Sequence, residues 1–219
     1  MVELILPTRG TVVPVGKILC IGRNYARHAA EMKSAVPETP IVFLKPSTAV
    51  VGNAGVVILP AASKEVHHEV ELVAVIGQGG KNIPVETALN HVDAYAVGLD
   101  MTARDLQAEA KRNGHPWSVS KGFDTFAPLG PLKAASAVGD PQRLDITLRI
   151  NGEVRQAGHT RDMLFSVATL IAYCSTIFTL LPGDLLYTGT PEGVGPVEVG
   201  DLLEAEVSGL PLLRVKVKR

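Results

Sequence analysis

Residues 66–72, VHHEVEL, run straight into VAVIG at 73–77, and the reading of that junction decides the fold. In an extended chain, side chains two positions apart share a face, so Glu69 and Glu71 point the same way with their stems about 6.6 Å apart. After Glu71 the letters are apolar on both faces, as in a strand covered on both sides. The chain therefore carries two acidic groups to the rim of its own core. Converging carboxylates repel unless one stays protonated or a cation sits between them. A solvated edge strand, with Glu65, His67, Glu69 and Glu71 all facing water, fits these letters as well as a metal site does.

A second apolar run, AYAVGL at 94–99, gives out at Asp100. Asp100 is either a helix cap or a third functional carboxylate. Three carboxylates without a cysteine partner make a hard, oxygen-only site suited to Mg2+ or Mn2+. Zinc is less natural: His67 and His68 point to opposite faces, no HExxH is present, and His67-x-Glu69 lacks the PCxxC of a zinc deaminase. Thr102 and Asp105 resemble a capping box opening a helix over 103–113, which Gly114 and Pro116 stop.

Farther out, GKILCIG (16–22) reads as a strand and NYARHAAEM (24–32) as a short helix with Asn24 near its cap. IVFLKPSTAVVG (41–52) and VVILP (56–60) are extended segments bounded by proline. LDITLRI (144–150) places Leu144, Ile146, Leu148 and Ile150 on one face, and Asn151-Gly152 turns it into EVRQAGH. A helix is expected over 162–177, followed by DLLYTGT, a glycine-rich loop and a last pair of strands, LLEAEV and LLRVKV. Strand-rich order with scattered helices, lacking regular alternation, points to an α+β fold. Residues 16–219 read as a single domain, and 1–15 as an N-terminal extension.

At 219 residues, 46% hydrophobic and 20% charged, with formal charge −1, the composition offers no footprint for nucleic acid. Cys20 and Cys174 lie in apolar stretches without ligand spacing, which suits buried free thiols in a reducing compartment. The first residues lack the pattern of a secretory leader, and a cytoplasmic location is expected. Met163–Gly183 carries no charge, yet Ser166, Thr169, Ser175, Thr176, Thr179 and Pro182 interrupt it, so a core helix and loop are expected there and no membrane partner.

His28 and Glu31, three apart on one helix face, suit a general base oriented by a carboxylate, although a surface contact at this spacing is commoner. Lys121, and Arg104 with Gln107 on one face of the next helix, are candidate anion contacts. TGTPEGVG (188–195) matches neither phosphate-loop pattern, and its glycines serve a tight loop or close approach to a ligand. No GxSxG is present, which argues against a serine hydrolase of that type.

Taken in order, GRNYxxHxxEM, FLKP, HHEVEL, LDMTARDxQ, GxPWxxxKxFD, NGExRQ and GDLLYTGTPEGVGP resemble the fumarylacetoacetate hydrolase family, and within it the small acylpyruvase, oxaloacetate decarboxylase and oxaloacetate tautomerase branch. The resemblance runs from Gly16 onward. It implies a mixed β-sandwich roll, usually a homodimer, with Glu69, Glu71 and Asp100 as metal ligands. It further implies His28 and Glu31 as the catalytic dyad, on a lid helix ordered by substrate, and Lys121 as a catalytic cation. Arg23, Arg104, Gln107 and Thr190 match substrate-contacting positions. The implied reaction is Mg2+- or Mn2+-dependent cleavage of the C–C bond of acylpyruvates, small 2,4-dioxo acids, through the enolate of pyruvate. Decarboxylation or keto–enol tautomerisation of oxaloacetate is the alternative, and a non-catalytic metal-stabilised β module is the alternative of another class.

Overall fold

The computed structural model describes residues 2–32 and 34–219. Two sheets face each other across the main core. The larger has eight strands, in the order Ile41–Lys45, Ile18–Gly22, Leu185–Tyr187, Val70–Ile76, Val92–Leu99, Ala127–Leu129 and Val50–Gly52, with Lys133–Ala134 also paired to Val92–Leu99. The smaller has five: Glu153–His159, Asp145–Ile150, Leu202–Val207, Leu213–Lys218 and Val56–Ile58. Leu72, Ala74, Val97 and Leu99 of the first sheet share a core with Ile146, Leu148, Leu203 and Val215 of the second. These mixed sheets and few short helices make the expected α+β sandwich.

Every residue of Val70–Ile76 and Val92–Leu99 is buried, because the larger sheet has a second covered face. There Val73, Val75, Ala94 and Ala96 pack with Ile18, Cys20, Leu185 and Tyr187, and with Leu4, Leu6 and Val15. Leu4 and Leu6 belong to an N-terminal hairpin, Glu3–Leu6 paired with Thr11–Pro14, which Val15 directly follows and for which the sequence analysis assigns no strands. In the smaller sheet one face only is buried, and Asp145–Ile150 and Leu213–Lys218 alternate accordingly. Asn151 and Gly152 both take positive φ, the turn that a two-residue hairpin requires.

Among the described residues four α-helices interrupt the sheets: α1 (Ala26–Glu31), α2 (Arg104–Asn113), α3 (Ser118–Lys121) and α4 (Val167–Ile177). Three local expectations are corrected. The α1 N-cap position is Tyr25; the Asn24 side chain instead accepts from the Phe165 amide and donates to the Phe165 and Thr188 carbonyls, tying three segments together. The α2 cap position is Ala103, without a side-chain bond: Thr102 turns toward Glu69, and Asp105 accepts from Ser63 and the Lys64 amide. The helix expected over 162–177 starts at Val167, because Ser166 caps it and Thr160–Asp162 form a separate 3-10 turn. At its far end α2 stops as expected, on Gly114 in the left-handed region. No helix among the described residues is long and apolar enough to cross a membrane.

Candidate metal centre and catalytic cleft

A small third sheet explains why Glu69 and Glu71 travel together. Val66–His68 pairs with Thr102–Ala103 on one side and Gly195–Pro196 on the other, outside the larger sheet. Two neighbouring segments thus leave the larger sheet for the small one side by side. Glu69 lies at the joint of the first, between Val66–His68 and Val70–Ile76, and Asp100 at the joint of the second, between Val92–Leu99 and Thr102–Ala103. The Asp100 amide donates to the Glu69 carbonyl at 2.8 Å, which locks the joints together. The break between sheets lets side chains that would line a covered face gather at its edge.

Oxygens of Glu69, Glu71 and Asp100 come within 4.8 Å of one another, and all three residues are buried, 5%, 1% and 1% exposed. The solvated-edge alternative therefore does not describe Glu69 and Glu71. It describes Glu65, whose exposed carboxylate pairs with His67 at 2.7 Å.

The cluster is compensated unevenly. Lys121 Nζ donates to Glu69 Oε2 at 2.9 Å and to Asp100 Oδ2, while Arg104 donates to Glu69 Oε1 at 2.6 Å. Burial pushes the Glu69 carboxyl up, but Lys121 and Arg104 outweigh it and hold the group well below the usual range. Glu71 goes the other way: burial, then the Asp100 and Glu69 charges, push it well above that range, against one bond from the Gly189 amide at 2.7 Å. Asp100 Oδ1 faces the Lys45 ammonium at 2.6 Å but receives no well-directed hydrogen bond. An all-oxygen set with a disfavoured charge on Glu71 and an under-satisfied oxygen on Asp100 fits a hard divalent cation.

The remaining candidates converge on the same cleft. Arg23, His28, Glu69, Arg104, Gln107, Lys121 and Thr190 all line it, with Phe43, Lys111 and Trp117. The α1 helix presents His28, whose Nδ1 lies 3.3 Å from Glu31 Oε2; Glu31 also accepts from the Gly193 amide at 3.1 Å. Gly193 and Gly189 both have φ above +90°, and a Cβ would meet the Arg155 carbonyl oxygen at 2.4 Å and Asn24 Cβ at 2.6 Å respectively. Glycine is thus required where the loop brings amides to Glu31 and Glu71. Arg104 Nη1 donates to Gln107 Oε1 at 2.7 Å, and Arg23 itself takes a left-handed backbone, φ 58°.

Sequence reasoning assigned no role to two buried residues of this region. Lys45, 2% exposed, neutralises Asp100 and donates to the Met101 and Phe126 carbonyls. Gln156, 1% exposed, accepts from the Val70 amide, lies 2.9 Å from His68 Nδ1, and donates to Thr190 Oγ1 and the Pro191 carbonyl. The signal for Lys45 was a lysine within an extended segment beside a proline. For Gln156 it was a polar residue on the inward register of its strand.

A model of the fumarylacetoacetate hydrolase C-terminal region matches residues 17–218. The chain is 48% identical over 203 residues to a mitochondrial oxaloacetate tautomerase of Arabidopsis thaliana, covering 93% of this chain and 91% of the relative. Among solved structures, fumarylpyruvate hydrolase from Pseudomonas aeruginosa, in complex with Mn2+ and pyruvate, superposes with TM-score 0.94 at 45% identity, covering 99% of this chain and 95% of the other. The 5-carboxymethyl-2-hydroxymuconate delta-isomerase of Mycobacterium smegmatis does so with TM-score 0.84 at 41% identity, covering 94% and 80%. With the match spanning both facing sheets and the joints that carry the carboxylates, the chain belongs to the fumarylacetoacetate hydrolase family.

Proposed function

We propose that this protein is a Mg2+- or Mn2+-dependent enzyme that hydrolyses the C–C bond of acylpyruvates. The observation that carries the reading is the opposition, across one cleft, of a buried three-carboxylate cluster and a histidine oriented by a glutamate. Glu69, Glu71 and Asp100 would hold the ion. Bound there, it supplies Lewis acidity toward the oxygens of a 2-oxo acid. The Mn2+ and pyruvate of the Pseudomonas aeruginosa relative support this assignment.

The chain's own residues then divide the work. Arg104 and Lys121 hold negative charge beside the cluster, and Gln107, Arg23 and Thr190 orient the substrate. His28 takes a proton from water while Glu31 fixes its Nδ1. The water oxygen attacks the C4 carbonyl, the C3–C4 bond breaks, and its electron pair leaves as the enolate of pyruvate, which regains a proton at C3. The fixed cations favour that charge as it develops. A second reading, keto–enol interconversion of oxaloacetate, needs only proton transfers at C3, and the Arabidopsis thaliana relative's name favours it. Decarboxylation of oxaloacetate reaches the same enolate.

The test is divalent-ion-dependent turnover of acetylpyruvate, fumarylpyruvate and oxaloacetate by wild type and His28→Ala. Turnover lost on chelation and in the variant is expected. Equal, negligible rates on every substrate would instead leave a non-catalytic metal-stabilised module.

Three further points belong to the same proposal. Residues 16–219 act as one catalytic domain, to which 1–15 is an extension whose Glu3–Leu6 and Thr11–Pro14 hairpin packs on the larger sheet. A homodimer is supported by Ile5 and Val12, which stand 67% and 58% exposed on that hairpin. A cytoplasmic location is supported by two buried free thiols, Cys20 and Cys174.

A further inference from the structure

We propose that Lys111 and Arg23 form a second anion subsite that selects substrates whose tail ends in a carboxylate. The inference rests on the reading above, in which the 2-oxo acid head binds at the carboxylate cluster.

Arg104, Gln107 and Lys111 are spaced three and four apart, so they form one stripe along α2 facing the cleft. The stripe starts at Glu69, which Arg104 touches, and ends at Lys111, which is exposed. Seven residues at ~1.5 Å each set Lys111 roughly 10 Å from Arg104 along the helix axis. That is beyond the head group and within reach of a tail. The Lys111 ammonium lies 5.5 Å from the centre of the Trp117 ring, which holds it over the cleft.

The cations of this cleft are not equivalent. Lys45, Lys121 and Arg104 are engaged with Asp100 and Glu69. Arg23 and Lys111 line the same cleft and make no ion pair among the described residues. Partial burial, then the Arg104 and Arg23 charges, lower the Lys111 pKa. Uncompensated cations gathered at a polar opening raise the local concentration of anions and favour one that sits between them. A divalent ion in the cluster would add to this surplus. A methyl or alkyl tail would leave both side chains without a partner, whereas a tail carboxylate satisfies them.

The test uses two stable 2-oxo acids of equal carbon count, 2-oxoadipate with a tail carboxylate and 2-oxohexanoate with a methyl, titrated calorimetrically into the Mg2+-loaded protein. The diacid is expected to bind about 10–100-fold tighter, the range set by loss of a charged hydrogen bond. Lys111→Met and Arg23→Met should each erase most of that preference, Lys111→Arg should keep it, and added salt should weaken it. Equal affinities in wild type, or a preference that survives both methionine variants, would overturn the proposal. Retained diacid preference without turnover of any dioxo acid would uphold this subsite and sink the proposed reaction alone.

Discussion

The floor of the cleft and its wall are built differently. The floor is three buried carboxylates at the joints between sheets, held by Lys45, Lys121, Arg104, Thr102 and the Gly189 amide. The wall is α1, six residues without a side-chain cap, whose Glu31 side chain is 34% exposed. A helix of that length has little stability of its own and depends on what it docks against. It is tied to the loop by Glu31, which accepts from Gly193, and by Arg27, which pairs with Glu192 at 3.4 Å. The contrast teaches where each kind of chemistry would be placed: charge is fixed where the protein is most over-determined, and in the proposed reaction proton transfer falls to a short helix with little stability of its own.

Substitutions can separate floor from wall. Asp100→Asn should abolish both divalent-ion binding, read by calorimetry, and turnover; an active, metal-binding Asp100→Asn protein would break the division. His28→Ala should lower kcat by ~10²–10⁴-fold and leave ion affinity intact, since in the proposed reaction the imidazole moves protons and is not a ligand. Lys45→Met removes the ammonium facing Asp100 Oδ1 and two carbonyl contacts, and should cost roughly 3 kcal/mol in denaturant melts of the metal-free protein. Divalent ions should recover part of that loss. Glu31→Gln should reduce kcat by about 10-fold or somewhat more, the worth of one charged hydrogen bond, with little change in melting.

A further effect is one of pH. Glu71 is raised above its ordinary value of 4.5, chiefly by burial. Its contribution to the stability of the metal-free protein is therefore full below 4.5 and is lost as pH rises through the raised value. Glu69, held low, contributes above 4.5 and loses that only as pH falls farther. In chelator, Glu71→Gln should thus melt progressively above wild type as pH rises, by about 1.4 kcal/mol for each unit by which Glu71 is raised. Saturating Mg2+ should reverse the order, because the ion favours the ionised carboxylate. A pH-independent difference would show that Glu71 is not the strained member of the floor.

Much of this was legible along the chain. Period-two alternation marked Asp145–Ile150 and Leu213–Lys218, and Asn151-Gly152 marked the hairpin, because both signals are local. The shared face of Glu69 and Glu71 followed from strand geometry alone. Thr102 and Asn24 misled for a related reason: each sits where a cap belongs, but a distant partner outcompeted the helix end. Glu69 is 33 residues from Thr102, and Phe165 is 141 from Asn24.

From its order of residues alone, this protein declared two doubly buried strands, each ending in acid, and a histidine–glutamate pair on one helical turn, since spacing within a strand or helix is set by backbone geometry. Only the tertiary structure decided that both strands change sheets at the same level, that Lys45 neutralises Asp100 from 55 positions away, and that Lys111 overlooks the cleft. Those outcomes depend on which distant segments pack together, and the cost of closing long loops is repaid by the core as a whole and leaves no mark on neighbouring residues.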